Sequence, residues 1–416
     1  MKRHPRRQRL LALAASAGTI ACHVQAFQAT DLLAYSVGPV TLRPHAGLAE
    51  SYDDNIFFQT AKKVGDSITT TSAGMSASLG RETPVNPWID FFEEESNFVS
   101  IDYNLDYLIY ATQSDLNAPN HDFSFKGRWR GNRLTVKGGD SVQLISGILS
   151  GGYTVAQKLN INRAIYNDNY MVDYAVSQKT RVYLNGTHYA TDYESGTPLY
   201  DDNTLRATAG FGYQAFSKTS LFGEAYYGQS AIDPNLSPQI QPKGPHSTFE
   251  GGFLGVQGHF TAHLSGMLKV GYESREFSDN SPAPSSPVVE MSIVHRFREK
   301  TMTTLTYRRL SSISVQSAGV SYTADNFGLR LDQRLGSTGR WAASAGANVE
   351  LGDYGESRFY TNRQDQWYRF NVGLAYLIRP WIRTDFNYQF QKFTSNGPGI
   401  IDYDDNRVTL SLAVGY

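Results

Sequence analysis

The chain has 416 residues, with 38 lysines and arginines against 39 aspartates and glutamates, so its formal net charge is −1. This balance argues against nucleic acid as a partner, because nucleic-acid binding needs a basic surface. The single cysteine, Cys22, excludes a disulfide framework and a cysteine-ligated metal. The chain has no uninterrupted apolar segment of about 18 residues, so the sequence predicts no transmembrane helix.

The first 26 residues are typical of a secretory signal peptide. A basic segment, 1–9, precedes an apolar segment, 10–20, and small residues lead up to Ala26, where signal peptidase would cleave. The apolar segment is too short to span a bilayer. We therefore predict export, with residues 1–26 removed and 27–38 forming a short periplasmic segment.

Two alternative export signals match parts of this N-terminus. Arg6-Arg7 could begin a twin-arginine signal and Cys22 could be a lipoprotein cysteine, but the residues that usually surround these motifs are missing. Cleavage near Ala26 removes five basic residues and no acidic ones, which leaves a net charge of −6. The exported chain is then mildly acidic and has no thiol.

A short acidic motif follows the first extended segment. It consists of Tyr52, Asp53, Asp54 and Asn55, and similar tetrapeptides occupy 200–203 and 403–406. Paired carboxylates and an amide suit Ca²⁺, which takes six to eight oxygen ligands. Asp and Asn also turn a chain, and Tyr suits a membrane interface. No EF-hand spacing accompanies the motif, so we predict an extracellular-rim turn and neither a metal nor a cofactor. Cation binding, or bridging to lipopolysaccharide, is the alternative.

Extended segments with one apolar face recur along the rest of the chain. Alternation of apolar with small or polar residues is present in 99–109, 205–214, 264–273, 341–351, 370–379, 382–391 and 407–416. Because side chains of a strand point alternately to opposite faces, each segment has one apolar wall. Both a soluble β-sandwich and a membrane β-barrel would show this pattern, so the spacing of the turns must decide between these two folds.

Short polar turns recur about every 40 residues and alternate with longer loops. The turns are 131–133, 177–180, 217–219, 260–262, 298–300, 336–339 and 379–380, and the loops are 192–203, 233–247, 274–287, 352–364 and 394–405. This alternation is typical of short periplasmic turns and longer extracellular loops. We predict an all-β, antiparallel transmembrane outer-membrane β-barrel over 39–416, with about 18 strands (16–18). The segment 138–169 is the least clear part of this count.

A barrel of this size encloses an aqueous lumen, and the sequence assigns charged residues to its inner face. They are Arg206, Lys269, Glu290, Arg296, Arg330, Asp332, Arg334, Glu350, Arg369, Arg383, Asp385 and Arg407. Their opposite charges could pair across strands in a solvated wall. They could also form a charged ring that selects solutes.

The last segment ends on an aromatic residue, as the closing strand of a bacterial outer-membrane barrel does. Leu410, Leu412, Val414 and Tyr416 share one face, opposite Arg407 and the small residues of the other face. We predict that these four residues form a C-terminal insertion signal for the barrel-assembly machinery. Outer-membrane lipid and lipopolysaccharide would then contact the apolar face.

The N-terminal segments resemble a known family. Val40-Thr41-Leu42-Arg43-Pro44, followed by the segment 51–57 with its Tyr-Asp-Asp-Asn-Ile-Phe motif, is similar to the Putative beta-barrel porin 2 family. That family includes outer-membrane barrels of exopolysaccharide biosynthesis and export operons. The resemblance implies an 18-stranded barrel that gives a secreted polysaccharide its route across the outer membrane. It also implies a periplasmic polysaccharide-export protein as partner.

Three functions are consistent with this sequence. The first is a conduit for exopolysaccharide export, the second is a general or solute-selective diffusion porin, and the third is an outer-membrane enzyme or adhesin that uses the long loops. The sequence has no Gly-x-Ser-x-Gly or His-Glu-x-x-His motif and no phosphate-binding glycine loop. We therefore expect no catalytic residues.

Overall fold

The computed structural model describes residues 34–80, 96–147, 161–236, 243–281, 285–298, 300–314, 319–354, 362–397, 399–400 and 402–415. Within these ranges the chain forms strands and one short 3₁₀ turn, Ser114–Leu116. No helix in the described part of the chain has the length and apolar character to cross a bilayer. The predicted signal peptide and Tyr416 lie outside the described residues.

The strands follow the chain order. They are β1 (Tyr35–Val37), β2 (Val40–Asp53), β3 (Asp66–Gly80), β4 (Phe98–Tyr110), β5 (Ala118–Arg130), β6 (Leu134–Gly147), β7 (Ile161–Ala175), β8 (Thr180–Tyr193), β9 (Tyr200–Phe216), β10 (Thr219–Pro234), β11 (Ser247–His259), β12 (Leu264–Phe277), β13 (Ser286–Arg298), β14 (Thr301–Ile313), β15 (Ser321–Leu335), β16 (Trp341–Asp353), β17 (Gln364–Arg379), β18 (Ile382–Ser395) and β19 (Tyr403–Val414).

The strands β2 to β19 form a closed antiparallel ring. Each strand pairs with the next along the chain, and β19 pairs with β2. Closure gives every strand two neighbours, so no backbone edge is left unpaired in the membrane. This ring confirms the predicted barrel of 18 strands. The unclear segment 138–169 contributes to β6 and β7, which pair from Leu134 opposite Tyr174 to Gly147 opposite Ile161.

A short strand precedes the ring. Tyr35–Val37, within the segment predicted to be periplasmic, forms β1 and pairs with the start of β2, where Tyr35 lies opposite Leu42. The tight turn between the two strands includes Gly38, whose φ of 62° is a left-handed conformation that glycine adopts without strain.

The outer face of the ring is apolar. Leu254 is 73% exposed, Leu184 is 65% exposed and Leu410 is 58% exposed. In water these side chains would have to pack on a second layer, whereas in a bilayer they contact hydrocarbon. Large aromatic side chains lie near the ends of the strands, including Tyr52, Trp129, Phe216 and Phe297, as expected for interfacial girdles.

Connections at the two ends of the barrel differ in length. At one end, seven connections of two to five residues join β5 to β6, β7 to β8 and each following odd-numbered strand to the next strand, as far as β17 and β18. At the other end, the connections have six to thirteen residues. The short-turn end is therefore periplasmic. One periplasmic connection departs from this pattern, since β3 ends at Gly80 and β4 begins at Phe98.

Candidate functional site: the lumen wall and the seam

The inner surface of the barrel differs from one side to the other. We call the inward side chains of β8 to β14 the packed wall, because they fill space. We call the inward side chains of β19, β2 and β3 the seam wall, because these strands flank the junction of the last and first barrel strands. The strands β15 to β18 connect the two walls and carry paired charges.

Aromatic rings form the centre of the packed wall. Tyr226, Phe249, Phe253 and Val288 make a buried cluster in which no member is more than 5% exposed. The rings of Tyr226 and Phe253 stack with their centroids 5.5 Å apart. Tyr226 faces inward, while its neighbour Tyr227 is 49% exposed on the outer face.

Three cations lie over these rings. The guanidinium carbon of Arg206 is 3.8 Å from the centroid of the Tyr226 ring. Lys269 Nζ is 4.5 Å from the centroid of Phe253, and the guanidinium carbon of Arg275 is 4.5 Å from that of Phe249. Cation–π attraction is stronger where the cation is desolvated. The rings therefore help to hold positive charge in a buried environment.

Acidic side chains complete the network around Lys269. Its Nζ lies 3.4 Å from Glu224 Oε2 and 3.2 Å from Glu290 Oε2. The hydroxyl of Tyr183 donates to Glu224 at 2.7 Å. Arg308 Nε lies 3.8 Å from Glu290. Buried charges are stable only when they are paired, and Lys269 is paired here with both Glu224 and Glu290.

A second acid links the rings to Arg275. The hydroxyl of Tyr226 donates to Glu273 at 3.0 Å, and Arg275 donates to the same carboxylate at 3.3 Å. Glu273 is 6% exposed and Arg275 is also 6% exposed. The centre of the packed wall is therefore a layer of buried side chains on the barrel's inner surface.

Glycines on neighbouring strands make room for these large side chains. Tyr183 packs against Gly210, Tyr226 against Gly251, and Phe249 against Gly228. A Cβ at any of these glycines would overlap the ring. Each ring can therefore lie flat on the sheet because the next strand has a glycine at that position.

The middle of the seam wall has short side chains. Its inward residues include Gly47, Ala49, Ser51, Ser72, Thr409, Ser411 and Ala413. Ser51 and Thr409 share a hydrogen bond of 2.9 Å across the seam. A recess of about 200 Å³ lies along this wall, and His45, Ser72, Asn104 and Ser411 are among its lining residues. Short side chains and this recess together leave open space on this side of the lumen.

Charges between the two walls are paired mainly within single strands. Arg330 donates to both carboxylate oxygens of Asp332, at 2.8 and 2.7 Å. Arg383 Nε donates to Asp385 at 2.8 Å. Residues two apart share a face of a strand, so these pairs lie along the lumen surface. Such pairing reduces the field that a passing solute meets.

The remaining predicted lumen charges have different surroundings. Glu350 accepts a hydrogen bond from Asn326 at 3.3 Å, while the guanidinium of Arg369 lies 3.8 Å from the Trp367 ring centroid. Arg296 and Arg334 lie close to the periplasmic ends of their strands and are exposed.

The predicted charges thus separate into three groups. Arg206, Lys269 and Glu290 belong to the packed wall, and Arg407 belongs to the seam, while the other predicted charges line the strands between or the periplasmic rim.

Four residues of the packed wall were missed in the sequence analysis, and these are Phe249, Phe253, Arg275 and Arg308. The available signal was that each of them lies at an inward-facing position of its strand and has glycine-rich strands as neighbours.

The acidic rim motif lies at the seam. Arg407 Nε donates to Asp53 Oδ2 at 3.0 Å. Asp54 accepts two hydrogen bonds from Asn406, one from the backbone and one from the side chain, each at 2.8 Å. The side-chain amide of Asn55 donates to the backbone oxygen of Asp404 at 2.8 Å. The motif therefore joins the first barrel strand to the last.

The three similar tetrapeptides do not share one environment. Tyr52 is 54% exposed on the outer face, whereas Tyr200 and Tyr403 are buried, at 5% and 3% exposure. Beside the motif, Lys63 donates to Asp404 at 2.6 Å. This hydrogen bond raises the pKa of the Lys63 ammonium above its ordinary value.

One patch of the outer face is polar. His188 Nδ1 and Asp168 Oδ2 are 2.6 Å apart, and the hydroxyl of Tyr170 donates to Asp140. Asp168 and Tyr170 share the outward face of β7 with Val172, which is 44% exposed. The patch lies near the middle of β6 and β7, so these groups are at the depth of the hydrocarbon.

A closed antiparallel barrel with an apolar outer face and a polar lumen is the fold of outer-membrane channel proteins. Residues 95–416 match the family described as Putative beta-barrel porin 2. The chain belongs to this family, which confirms the resemblance seen in the sequence. The fold and the family together indicate a porin-like channel of the outer membrane.

Solved structures with a similar fold were also found. OpdK from Pseudomonas aeruginosa is 11% identical, with 90% of this chain and 99% of that chain covered, at a TM-score of 0.46. OccAB4 from Acinetobacter baumannii is 8% identical, with 91% and 99% covered, at a TM-score of 0.46. OpdL from Pseudomonas aeruginosa is 11% identical, with 91% and 99% covered, at a TM-score of 0.43. No curated protein matches this chain.

Proposed function

We propose that the protein is a passive channel for hydrophilic solutes whose path follows the seam wall. The observation that carries this proposal is the difference between the two walls. One is filled by buried rings and ion pairs, while the other has serine, threonine, alanine and glycine beside a recess of about 200 Å³. A hydrated solute needs space and a polar surface, and the seam wall supplies both.

The charges favour weak rather than strong ion selectivity. Arg330 with Asp332, and Arg383 with Asp385, place both signs on the same strand. Opposite charges at this distance cancel much of each other's field in water. A neutral, hydrated solute such as a sugar would pass without being held tightly. We propose no catalytic step, and we infer transport alone.

Two versions of this function differ in the size of the cargo. A diffusion porin passes small solutes and conducts ions by itself. An exopolysaccharide conduit passes a polymer with the help of a periplasmic polysaccharide-export protein, and it stays closed without that partner. Mixed, paired charges suit either cargo. The polymer version rests on the family resemblance, whereas the porin version needs only the lumen described above.

Conductance of the purified protein in a planar bilayer separates the two versions. A steady open current without a partner would support the diffusion porin. A closed barrel that opens only with the periplasmic partner would support the polymer conduit. Liposome swelling with sugars of increasing size would then give the size limit of the solute.

The path itself can be located with introduced cysteines. A chain lacking residues 1–26 has no native cysteine, so each introduced thiol is unique. Ser411→Cys lies on the seam wall, and Thr208→Cys lies on the packed wall beside Tyr226. A charged, water-soluble thiol reagent should reduce the current through Ser411→Cys and leave Thr208→Cys unchanged. Block of Thr208→Cys alone would contradict the proposed path.

A further inference from the structure

The seam is the least extensively paired junction of the barrel. β19 and β2 are in register from Val414 opposite Ala46 to Arg407 opposite Asp53, which is fewer paired positions than any other neighbours in the ring have. Above Arg407, the two strands are joined by side chains of the acidic motif and by the Asp54–Asn406 backbone contact of 3.0 Å. Any group that bridges these side chains would strengthen closure.

Three carboxylates converge at this position. Asp53, Asp54 and Asp405 each offer one oxygen, and these oxygens all lie within 4.8 Å of one another. Ca²⁺ binds oxygen ligands at about 2.3–2.6 Å, so oxygens on opposite sides of one ion are separated by roughly 5 Å. The spacing of the three carboxylates is therefore compatible with a single shared ion.

The Asp405 carboxylate is the least satisfied of the three. Asp405 is 1% exposed, and its Oδ2 accepts a hydrogen bond from Gln391 at 2.9 Å. Among the described residues, no group donates a hydrogen bond to its buried Oδ1. The Asp405 carboxylate also contacts that of Asp53, which is fully buried. Two facing carboxylates in a dry environment need a cation or a proton between them.

The nearby donors leave negative charge uncompensated. Asp53 accepts from Arg407 and from the backbone N–H of Asn55. Within the described part of the chain, Asp54 accepts side-chain hydrogen bonds only from the neutral amides of Asn406. With Asp404 included, four carboxylates face two cations, Arg407 and Lys63, and the excess equals the charge of one divalent ion. All the available ligands are oxygens, which hard cations prefer.

We propose that Asp53, Asp54 and Asp405 bind one divalent cation, of the Ca²⁺ class, which latches the first barrel strand to the last. Asp53 and Asp54 lie at the end of β2, and Asp405 lies at the start of β19, so an ion shared among them bridges the seam at its extracellular end. Occupancy of the site stabilises the closed ring because only the folded barrel brings the three carboxylates together.

The full barrel in detergent micelles tests this site directly. Its unfolding midpoint is measured with EDTA and with increasing Ca²⁺, and Tb³⁺ luminescence reports binding without reference to stability. Ca²⁺ should raise the midpoint by several degrees, and Tb³⁺ should bind and be displaced by Ca²⁺. Asp405→Asn keeps the shape of the side chain and should abolish both effects.

Asp202→Asn provides the matched control. Asp202 lies in the similar tetrapeptide of β9 and is 8% exposed, but it is outside the three-carboxylate cluster. This variant should keep the full Ca²⁺-dependent shift whatever its absolute stability. If Asp405→Asn fails to fold, Asp54→Asn and Tb³⁺ titration of the unaltered protein provide the same test.

Three results would overturn the proposal. The first is a barrel whose midpoint does not respond to Ca²⁺ at neutral pH, together with the absence of Tb³⁺ binding. The second is an unchanged Ca²⁺ response in Asp405→Asn. The third is stabilisation by mild acid alone, which would assign a shared proton to the Asp53–Asp405 pair.

Discussion

The packed wall and the seam wall solve the same problem in different ways. Both must give polar groups partners inside a membrane-spanning ring. In the packed wall, Lys269 is 7% exposed and Glu290 is 7% exposed, so each depends on other side chains for solvation. In the seam wall, Ser411 and Thr409 are partly exposed and can be solvated by water. The first arrangement fills space with side chains, and the second leaves the open surface along which we propose that solutes pass.

This difference predicts unequal costs for similar substitutions. A buried charge that loses its partner suffers the full desolvation penalty, whereas a charge at a wet surface is solvated by water instead. Substitutions in the packed wall should therefore affect stability most. Substitutions in the seam wall should affect conductance most.

The largest effect is expected for Lys269→Met. Methionine keeps the length of the side chain but removes the Lys269 ion pairs with Glu224 and Glu290, which leaves Glu290 with the more distant Arg308 and Arg206. We expect a loss of about 3–5 kcal/mol, as for other broken buried pairs. Urea unfolding in lipid vesicles measures the change. A loss below about 1 kcal/mol would mean that water reaches this wall.

The next largest effect is expected on the outer face of the seam. Leu410→Arg should cost about 2–4 kcal/mol if Leu410 faces hydrocarbon near the middle of the bilayer. Ser411→Arg, one residue further, faces the lumen and should change stability little. The same unfolding assay compares the two variants. Equal losses at both positions would contradict the assignment of the two faces.

A smaller effect is expected for the polar patch on the outer face. Replacing Asp168 and His188 together, by valine and leucine, removes a pair from the hydrocarbon zone. We expect a gain of about 1–2 kcal/mol in vesicles, because apolar side chains cost less than polar ones where a strand faces hydrocarbon. The single replacement of Asp168 serves as the control. A loss in the double variant would indicate that a polar group covers this patch.

The strands and their facing could be predicted because period-two alternation is a local property. Leu410 and Arg407 were assigned to opposite faces from their parity alone, and the ring confirms the barrel that this pattern predicted. The segment 138–169 was unclear because Asp140 and Asp168 interrupt the apolar face there. A polar residue on the lipid side breaks the signal on which the strand prediction depends.

The composition of the packed wall could not be predicted in the same way. The alternation of side chains along each strand assigns Phe253 and Arg206 to the lumen. It does not predict that these two side chains contact each other, because that depends on the stagger between β9 and β11. The seam has the same limitation, since Asp53 and Asp405 are far apart in sequence and meet only after closure. The sequence favoured a rim turn for the acidic motif because contacts across the closed ring are invisible to local patterns.

The smallest loss of stability is expected for the ion pairs on the strands between the two walls. Arg383 and Asp385 form a pair whose side chains are 14% and 24% exposed. Arg383→Met, the counterpart of Lys269→Met, should cost at most about 1 kcal/mol, because water can solvate the remaining Asp385. The freed carboxylate should instead shift the reversal potential toward cation selectivity in a salt gradient. Asp385→Asn should shift it toward anions, and two shifts of the same sign would contradict a solvated, paired lumen surface.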